Sequence, residues 1–372
     1  MGRIVVAMSG GVDSSATAAL LQDQGHEVIG ITLHLAGQTA KVAGSRTCCG
    51  GDDIHDAKRV ADRLGIPHYV VDLSEIFRRE VMDAFAASYA NGETPVPCVQ
   101  CNRTVKFRDL LRTARDLGAE ALATGHYVRR EEGPALLRGA DHGRDQSYFL
   151  FATTRDELDY LRFPLGGMDK SETRALARRF GLAVADKPDS QDICFVPDGD
   201  YASVVHRLRP DAFTPGEIVH IDGRVLGRHQ GVAHFTVGQR RGLDIGGTAE
   251  RLYVIGLDPA AARVIAGPRE ALARGRFFVR EINWLGEGAE VPPEGIAVSV
   301  KVRNSFTPAP ARVFGLGQGW AEVVLETPIE AVAPGQAAVF YAGERVLGGG
   351  WITNATPAER PARPVLAAAS AG

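Results

Sequence analysis

Short apolar runs alternate with helix-periodic stretches through the first half of the chain, and the texture changes beyond about Ala212. Ile4–Met8 has the continuous apolar character of a buried strand, and Ala16–Gln22 is apolar enough for a helix covering it. Glu27–Leu35 predicts a second strand. In Asp52–Leu64, the residues Ile54, Ala57, Val60, Ala61 and Leu64 follow helical spacing, with Asp52 and Asp53 suited to the start and Gly65 to the end. His68–Leu73 predicts a third strand, Ser74 the cap of a helix from Glu75 to about Tyr89, and Glu120–Thr124 a further buried strand. Asp156–Leu161 and Ser171–Phe180 predict helices, while Leu136–Arg138 and Gln146–Phe151 flank the polar loop Gly139–Asp145. Strand alternating with helix predicts an α/β fold: a parallel sheet with helices on both faces and its ligand at the carboxyl ends of the strands.

Beyond Ala212 the glycines come closer together and β-branched runs replace helical patterns. Examples are Glu217–Ile221, Leu252–Leu257, Arg263–Ala266, Val298–Arg303, Arg312–Phe314, Ala321–Leu325 and Ala337–Tyr341. Such runs predict two small mostly-β domains, with a break at Gly286–Gly295. Thr356–Gly372 is rich in alanine and proline and predicts disorder.

Composition narrows the class rather than the fold. The 372 residues suffice for two or three domains, and no run reaches the length of a membrane span. With no signal peptide at the N-terminus and five cysteines in so long a chain, a reducing, cytoplasmic setting is expected. The net charge of −3 confines any nucleic-acid surface to local patches. Thr104–Leu117 and the residue before it supply one candidate, Arg103, Lys106, Arg108, Arg112 and Arg115 against Asp109, and a solvated helix face accounts for it equally well.

The chemistry begins with Ser9-Gly10-Gly11-Val12-Asp13-Ser14-Ser15, between the first strand and the first helix. Glycines there let a ligand approach the backbone, the helix start presents N–H groups to an anion, and the serines add hydroxyl donors. No lysine follows as in a Walker loop, and the dinucleotide fingerprint is absent. The string S-G-G-x-D-S resembles the pyrophosphate loop of N-type ATP pyrophosphatases, which split ATP to adenylate an oxygen. Elsewhere, Cys98 and Cys101 form a C-x-x-C after the proline-containing Asn91–Pro97, open to redox, metal or thiolate roles. The adjacent Cys48 and Cys49 are open to a metal or redox role, with small buried thiols the simpler reading, and Cys194 lies between apolar neighbours.

Further stretches narrow the resemblance. They are Thr94–Asn102 (TPVPCVQCN), Ala123–Tyr127 (ATGHY), Asp145–Leu150 (DQSYFL), Asp189–Phe195 (DSQDICF) and Phe235–Gly242 (FTVGQRRG). In this order they resemble the bacterial tRNA-specific 2-thiouridylases, from the first strand to about Thr353. The resemblance implies an ATP pyrophosphatase domain over 1–205, a small central domain over 206–282, a C-terminal β-barrel over 283–358 and a tail over 359–372. It implies ATP bound with Mg2+ by Ala7, Met8, Ser9, Gly10, Gly11, Val12, Asp13, Ser14, Leu33 and Gly125, adenylation of the wobble uridine O2, and sulfur delivery from a persulfide. Cys194 would carry the persulfide, supplied by a cysteine-desulfurase-derived donor, and Cys101 would attack it and leave a disulfide. Val96, Pro97 and Cys98, then Arg144, Asp145 and Gln146, and then Arg303 and Asn304 match tRNA-contact segments. The family usually has asparagine at Val96, some members have aspartate at Cys98, and Arg-Tyr is commoner at Arg303-Asn304. An iron–sulfur cluster on Cys98, Cys101 and Cys194 is an alternative to cluster-free thiol chemistry. Another adenylating enzyme would share Ser9–Ser15 without requiring both thiols, and an RNA chaperone would tolerate loss of both.

Overall fold

The computed structural model describes residues 2–35, 51–189, 193–196, 199–246, 250–330, 332–355, 359 and 361. Cys48 and Cys49, and the predicted tail apart from Glu359 and Pro361, therefore lie outside the described residues. Two compact units are present. The first comprises residues 1–83, 97–201 and 344–346, the second residues 84–96, 202–343 and 347–372.

In the first unit, strands β1 (Arg3–Ala7), β2 (Glu27–His34), β3 (His68–Asp72), β4 (Ala121–Ala123) and β7 (Leu161–Arg162) form a parallel sheet in the order β3-β2-β1-β4-β7. Strands β5 (Val128–Glu131) and β6 (Ala135–Arg138) make an antiparallel hairpin. Val5 and Val6 of β1 are fully buried, and the small Ala16, Ala18 and Ala19 let the helix Val12–Asp23 sit close above the sheet. The helix Gly51–Leu64 adds Ala57, Val60 and Ala61 to the same core, as its spacing predicts. After β3 the chain returns to the other side of β1 through β4, so the carboxyl ends of β1 and β4 border a topological switch point, where open α/β sheets place their ligands.

Two helical expectations change in detail. The helix expected from Glu75 starts at Ser74, with Leu73 rather than Ser74 as its N-cap, and the Asp72 carboxylate accepts the Ser74 N–H at 2.9 Å. It then runs as α over Ser74–Phe77, widens to a π-type turn over Arg78–Asp83, and resumes as α over Ala84–Ala90. The widening ends where the chain passes into the second unit. The basic stretch likewise begins as a π-type segment, Asn102–Leu110, and ends as α over Leu111–Asp116. There Arg108 and Arg112 flank the buried Asp109 at 3.0 and 3.8 Å, and Arg115 lies over the Tyr160 ring. These three cations are engaged within their own unit, which weakens the case for a nucleic-acid patch.

The second unit holds two β-structures. Strands β8 (Gly216–His220), β9 (Val225–His229), β10 (Tyr253–Asp258) and β11 (Arg263–Gly267) form one sheet in the order β10-β11-β8-β9 around Ile218, Val254 and Val264. The other contains β12 (Arg274–Trp284), β13 (Ile296–Lys301), β14 (Ala309–Gly317), β15 (Trp320–Ile329), β16 (Ala337–Ala342) and β17 (Arg345–Thr353), the first two residues of β17 counting with the first unit. Its order is β12-β15-β14-β13-β16-β17, and β12 pairs with β17 to close a six-stranded barrel around Val300, Val313, Val323 and Phe340. Strand β12 spans the expected boundary at 282/283 and pairs within the barrel, and Gly286–Gly295 lies between β12 and β13. Residues 84–96, expected in the catalytic domain, belong to the second unit. Among the described residues no helix is long and apolar enough to cross a membrane.

Candidate nucleotide and thiol site

The segment after β1 is built around two glycines. Gly10 has φ +74°, and a Cβ there would lie 2.2 Å from the Asp53 carbonyl oxygen. Gly125, just beyond β4, passes so close that a Cβ would lie 2.8 Å from the Asp13 carbonyl carbon and 2.9 Å from the Ser14 nitrogen. Any side chain at either position would push the loop out of place. Ser14 Oγ accepts the Ser9 N–H at 3.0 Å and lies 3.2 Å from Ser9 Oγ, while Ser15 Oγ donates to the Gly11 carbonyl at 2.8 Å. Gly11 offers no side-chain cap, so the first N–H groups of the helix Val12–Asp23 remain for an anion. Met8 and Leu33 are buried, and Met8 N–H donates to the Ile31 carbonyl at 2.8 Å, tying the end of β1 to β2.

Around this loop stand two lysines that local sequence patterns gave no reason to choose. Lys170, first residue of the helix Lys170–Arg179, donates to both Asp13 carboxylate oxygens at 2.7 and 2.9 Å and lies 2.7 Å from Asp189 Oδ1. The Tyr127 hydroxyl lies 2.8 Å from Asp13 Oδ1 and 2.9 Å from Thr173 Oγ1. Burial, and after it the charge of Asp13, pushes the Tyr127 hydroxyl above its ordinary pKa, so it stays protonated and donates. Lys187 donates to the Gly10 carbonyl at 3.0 Å and to Asp53 and Asp56 at 2.6 Å each. Burial opposes its charge, but the two carboxylates outweigh that and raise its pKa. Burial likewise works against ionised Asp56, which Lys187 and Arg59 nonetheless hold below the usual carboxylate range. The sequence signal for Lys170 is the capping box Asp169–Glu172, which locates a helix start without revealing what the next residue reaches.

Asp189 gathers cations. Arg144 Nη1 lies 2.6 Å from Oδ2, and Arg174 Nη2 lies 3.6 Å from Oδ1. Burial works to raise its pKa, but Lys170 and Arg144 prevail and hold it below the usual range. Beside Arg144, Asp145 is buried and accepts from Arg138 Nε, Gly139 N–H, Ser147 N–H and Ser147 Oγ within 3.1 Å. Gln146 Oε1 accepts the Tyr127 N–H at 2.9 Å. Asp145 and Gln146 thus order this segment from within, and Arg144 is its outward cation. Val96 and Pro97 are buried, whereas Arg303 and Asn304 are exposed, with the Arg303 guanidinium over the Phe306 ring.

The thiols differ among themselves. Cys98 is exposed in the short helix Pro97–Cys101, Cys194 is half-buried in a turn, and Cys101 is buried. Burial pushes the Cys101 thiol up, with Cys98 adding to that and Lys106 working against it. The expectation of a helix-start thiolate therefore suits Cys98 by position but not Cys101. No disulfide joins the three. Among the described residues no group of three or more His, Cys, Asp or Glu side chains is placed to hold a metal ion, so the three thiols form no cluster site here. His126 lies between Phe107 and Phe163, and burial, aided by Lys106, lowers its pKa to about 3, so its ring is neutral.

Fold and loop together define a nucleotide-binding α/β protein with two appended β-domains. Family comparison matches this division: residues 2–198 match "tRNA methyl transferase HUP domain", 203–268 "tRNA methyl transferase PRC-barrel domain" and 274–352 "Aminomethyltransferase beta-barrel domain". The relative in Rhodospirillum rubrum, named tRNA-specific 2-thiouridylase MnmA, is 62% identical over 94% of this chain and 96% of its own. Proteins of the same name in Rhodospirillum centenum (62% identical; 95% and 92% covered) and Parvibaculum lavamentivorans (60%; 94% and 90%) are similar over the same extent. The chain belongs to the tRNA-specific 2-thiouridylase family, as its motifs imply.

Proposed function

We propose that this protein is an ATP-dependent tRNA 2-thiouridylase that converts the wobble uridine to 2-thiouridine, releasing AMP and pyrophosphate. The observation that carries this reading is the loop Ser9–Ser15 at the switch point, uncapped at its helix start and flanked by Lys170. It is an anion site with a cation at its edge, in a chain of this family.

ATP binds along Ala7–Ser14, with Leu33 and Gly125 bordering the adenosine part. The helix-start N–H groups and the hydroxyls of Ser9 and Ser14 hold its phosphates while the uridine O2 attacks the α-phosphorus and pyrophosphate leaves. Asp13 offers a hard carboxylate oxygen beside the loop, the donor type magnesium takes together with phosphate oxygens, and magnesium neutralises phosphate charge when bound. Adenylation makes the C2 oxygen a leaving group. Cys194 carries a persulfide from a cysteine-desulfurase-derived donor. Cys101, once deprotonated, attacks the inner sulfur of Cys194, and the released terminal sulfur adds to C2 and expels AMP. The bond left between Cys101 and Cys194 is a disulfide, which an external dithiol reduces before the next turnover. Arg144 and Arg303 contact tRNA phosphates, Val96–Cys98 borders the target base, and the setting is the cytoplasm.

The test is nucleoside mass spectrometry of tRNA from cells lacking the protein, with complementation by the wild-type gene. Absence of wobble 2-thiouridine, restored on complementation, is expected. Unchanged 2-thiouridine would refute the reading.

A further inference from the structure

The carboxylate of Asp189 is shared by two cations that the proposed function gives to different ligands. Arg144 Nη1 lies 2.6 Å from Oδ2 and Lys170 Nζ 2.7 Å from Oδ1, while Lys170 also donates to both oxygens of Asp13. Arg144 is the outward cation of the segment read as contacting tRNA phosphates. Lys170 stands at the edge of the loop read as holding the phosphates of ATP. Asp13, Arg144, Lys170, Arg174 and Asp189 all belong to the first unit, so the series Arg144–Asp189–Lys170–Asp13 is continuous within it.

Asp189 is placed by more than these two cations. Arg174, in the helix that begins with Lys170, donates to the carbonyls of Ala185 at 2.8 Å and Lys187 at 3.1 Å, and its Nη2 lies 3.6 Å from Asp189 Oδ1. Lys187 in turn donates to the Gly10 carbonyl. The stretch leading into Asp189 is thus fastened to both the helix and the loop, which keeps the carboxylate beside Lys170. The Lys170 and Asp189 side chains are only 12% and 17% exposed, so water screens their attraction little. A tRNA phosphate that takes Arg144 leaves Asp189 compensated mainly by Lys170. An ATP phosphate that takes Lys170 leaves it compensated mainly by Arg144. With both ligands bound, of these cations only Arg174 remains, at the longer distance. Each ligand therefore makes the other's capture of its cation more costly.

We propose that Asp189 is a positioning residue that competes with phosphate for Lys170 and Arg144, so that ATP and tRNA each weaken the other's binding through it. This rests on the reading that Lys170 meets ATP phosphates and Arg144 meets tRNA phosphates.

The experiment uses full-length protein, tRNA lacking the modification, and α,β-methylene-ATP, which cannot be split between its α- and β-phosphates. The dissociation constant of the nucleotide is measured without tRNA and with tRNA at saturation, alongside thermal unfolding. The ratio of the second constant to the first should be about fivefold or more larger in the wild type than in Asp189→Asn. Without tRNA, Asp189→Asn should bind the nucleotide more tightly than the wild type. Arg144→Ala should bind it less tightly, because Asp189 then draws on Lys170 with less competition. A role confined to holding the fold would move both variants in the same direction. In the double variant Arg144→Ala/Asp189→Asn, the weakening caused by Arg144→Ala should vanish. If Asp189→Asn does not fold, Arg144→Ala carries the test, through weaker nucleotide binding without tRNA and a smaller ratio at saturating tRNA. An equal ratio in the wild type and a folded Asp189→Asn, or wild-type nucleotide binding by Arg144→Ala, would overturn the proposal. Wild-type protein that binds no nucleotide, or no tRNA, would instead overturn the underlying reading, and the two failures are distinct.

Discussion

On the proposed mechanism the loop Ser9–Ser15 and the cysteine positions serve one reaction, and their surroundings differ. Around Ser9–Ser15 the side chains are tied down while the helix-start N–H groups stay open: the serines bond within the loop, Lys170 and Tyr127 converge on Asp13, and Lys187 holds Gly10. The thiol surroundings differ from one another. Cys101 is buried with its pKa raised, Cys194 lies in a turn, and no bond joins them. A site for ATP has to be rigid before the nucleotide arrives, because hydrogen-bond donors stabilise developing charge best when they need not reorganise. A thiol that must not oxidise between turnovers is better kept protonated and out of water. On the proposed mechanism, the contrast is that of an adenylation site built in advance and a sulfur transfer completed only with substrate in place.

The sharpest way to break this contrast is to remove the sulfurs. Cys194→Ser and Cys101→Ser should each abolish 2-thiouridine formation, while Cys101→Ser still releases AMP and pyrophosphate in a single turnover on tRNA. Cys48→Ser should leave thiolation intact. Liquid chromatography of digested tRNA reads the first outcome and labelled ATP the second. Should Cys101→Ser also lose pyrophosphate release, the separation of the two halves fails.

Next in size is the nucleotide half. Lys170→Met removes the cation shared by Asp13 and Asp189, and should lower the rate of pyrophosphate release by roughly 10²–10³-fold, the usual scale for a lost charge-stabilising donor. Lys170→Arg should restore part of it. A Lys170→Met enzyme with normal adenylation would remove this lysine from the phosphate site.

These two predictions also mark what sequence could and could not show. Strands β1 to β4, the loop and the helix Gly51–Leu64 were legible because each is specified by a local run or a period of 3.6, whereas β7 begins at Leu161, expected as the end of a helix. The lysines were not, because Lys170 meets Asp13 across 157 positions and Lys187 meets Asp53 across 134. Nor did the C-x-x-C spacing show that one cysteine is exposed and the other buried, since that depends on which face of the turn meets the core. In the barrel, β17 carries Gly348-Gly349-Gly350, residues of low strand propensity, yet the pairing of Gly348 with Trp284 and Gly349 with Asn283 makes it strand. Strand β12, Arg274–Trp284, has Gly275, the run Phe277-Phe278-Val279 and the pair Arg280-Glu281 in place of a regular alternation, so it carries no clear period-2 signal.

The protonation contrast gives a pH test. Because burial raises the Cys101 thiol, its thiolate fraction grows as pH rises through and above the ordinary cysteine range. Single-turnover thiolation of pre-adenylated tRNA should therefore climb with pH, by up to about tenfold per unit where thiolate is scarce. Adenylation, which uses no thiol, should not follow that slope. A flat thiolation profile between pH 7 and pH 9 would place deprotonation of Cys101 outside the rate-limiting step.

The smallest expected effect concerns the Tyr127 hydroxyl. It joins Asp13 on the pyrophosphate loop to Thr173 in the helix that also supplies Lys170, so it fixes the carboxylate without carrying charge itself. Tyr127→Phe keeps the ring, which lies 5.7 Å from the Lys170 ammonium, and removes only the bridge. Lys170 still binds both Asp13 oxygens, so the carboxylate remains neutralised. The loss is then one charge-assisted hydrogen bond, about 1.5–3 kcal/mol at most and less where water can enter to replace it. Pyrophosphate release should fall by about three- to tenfold, well short of the Lys170→Met effect, with thiolation falling in proportion because adenylation comes first. If Tyr127→Phe instead matched Lys170→Met, rigidity of the Asp13 carboxylate, rather than its charge balance, would be what the nucleotide half requires.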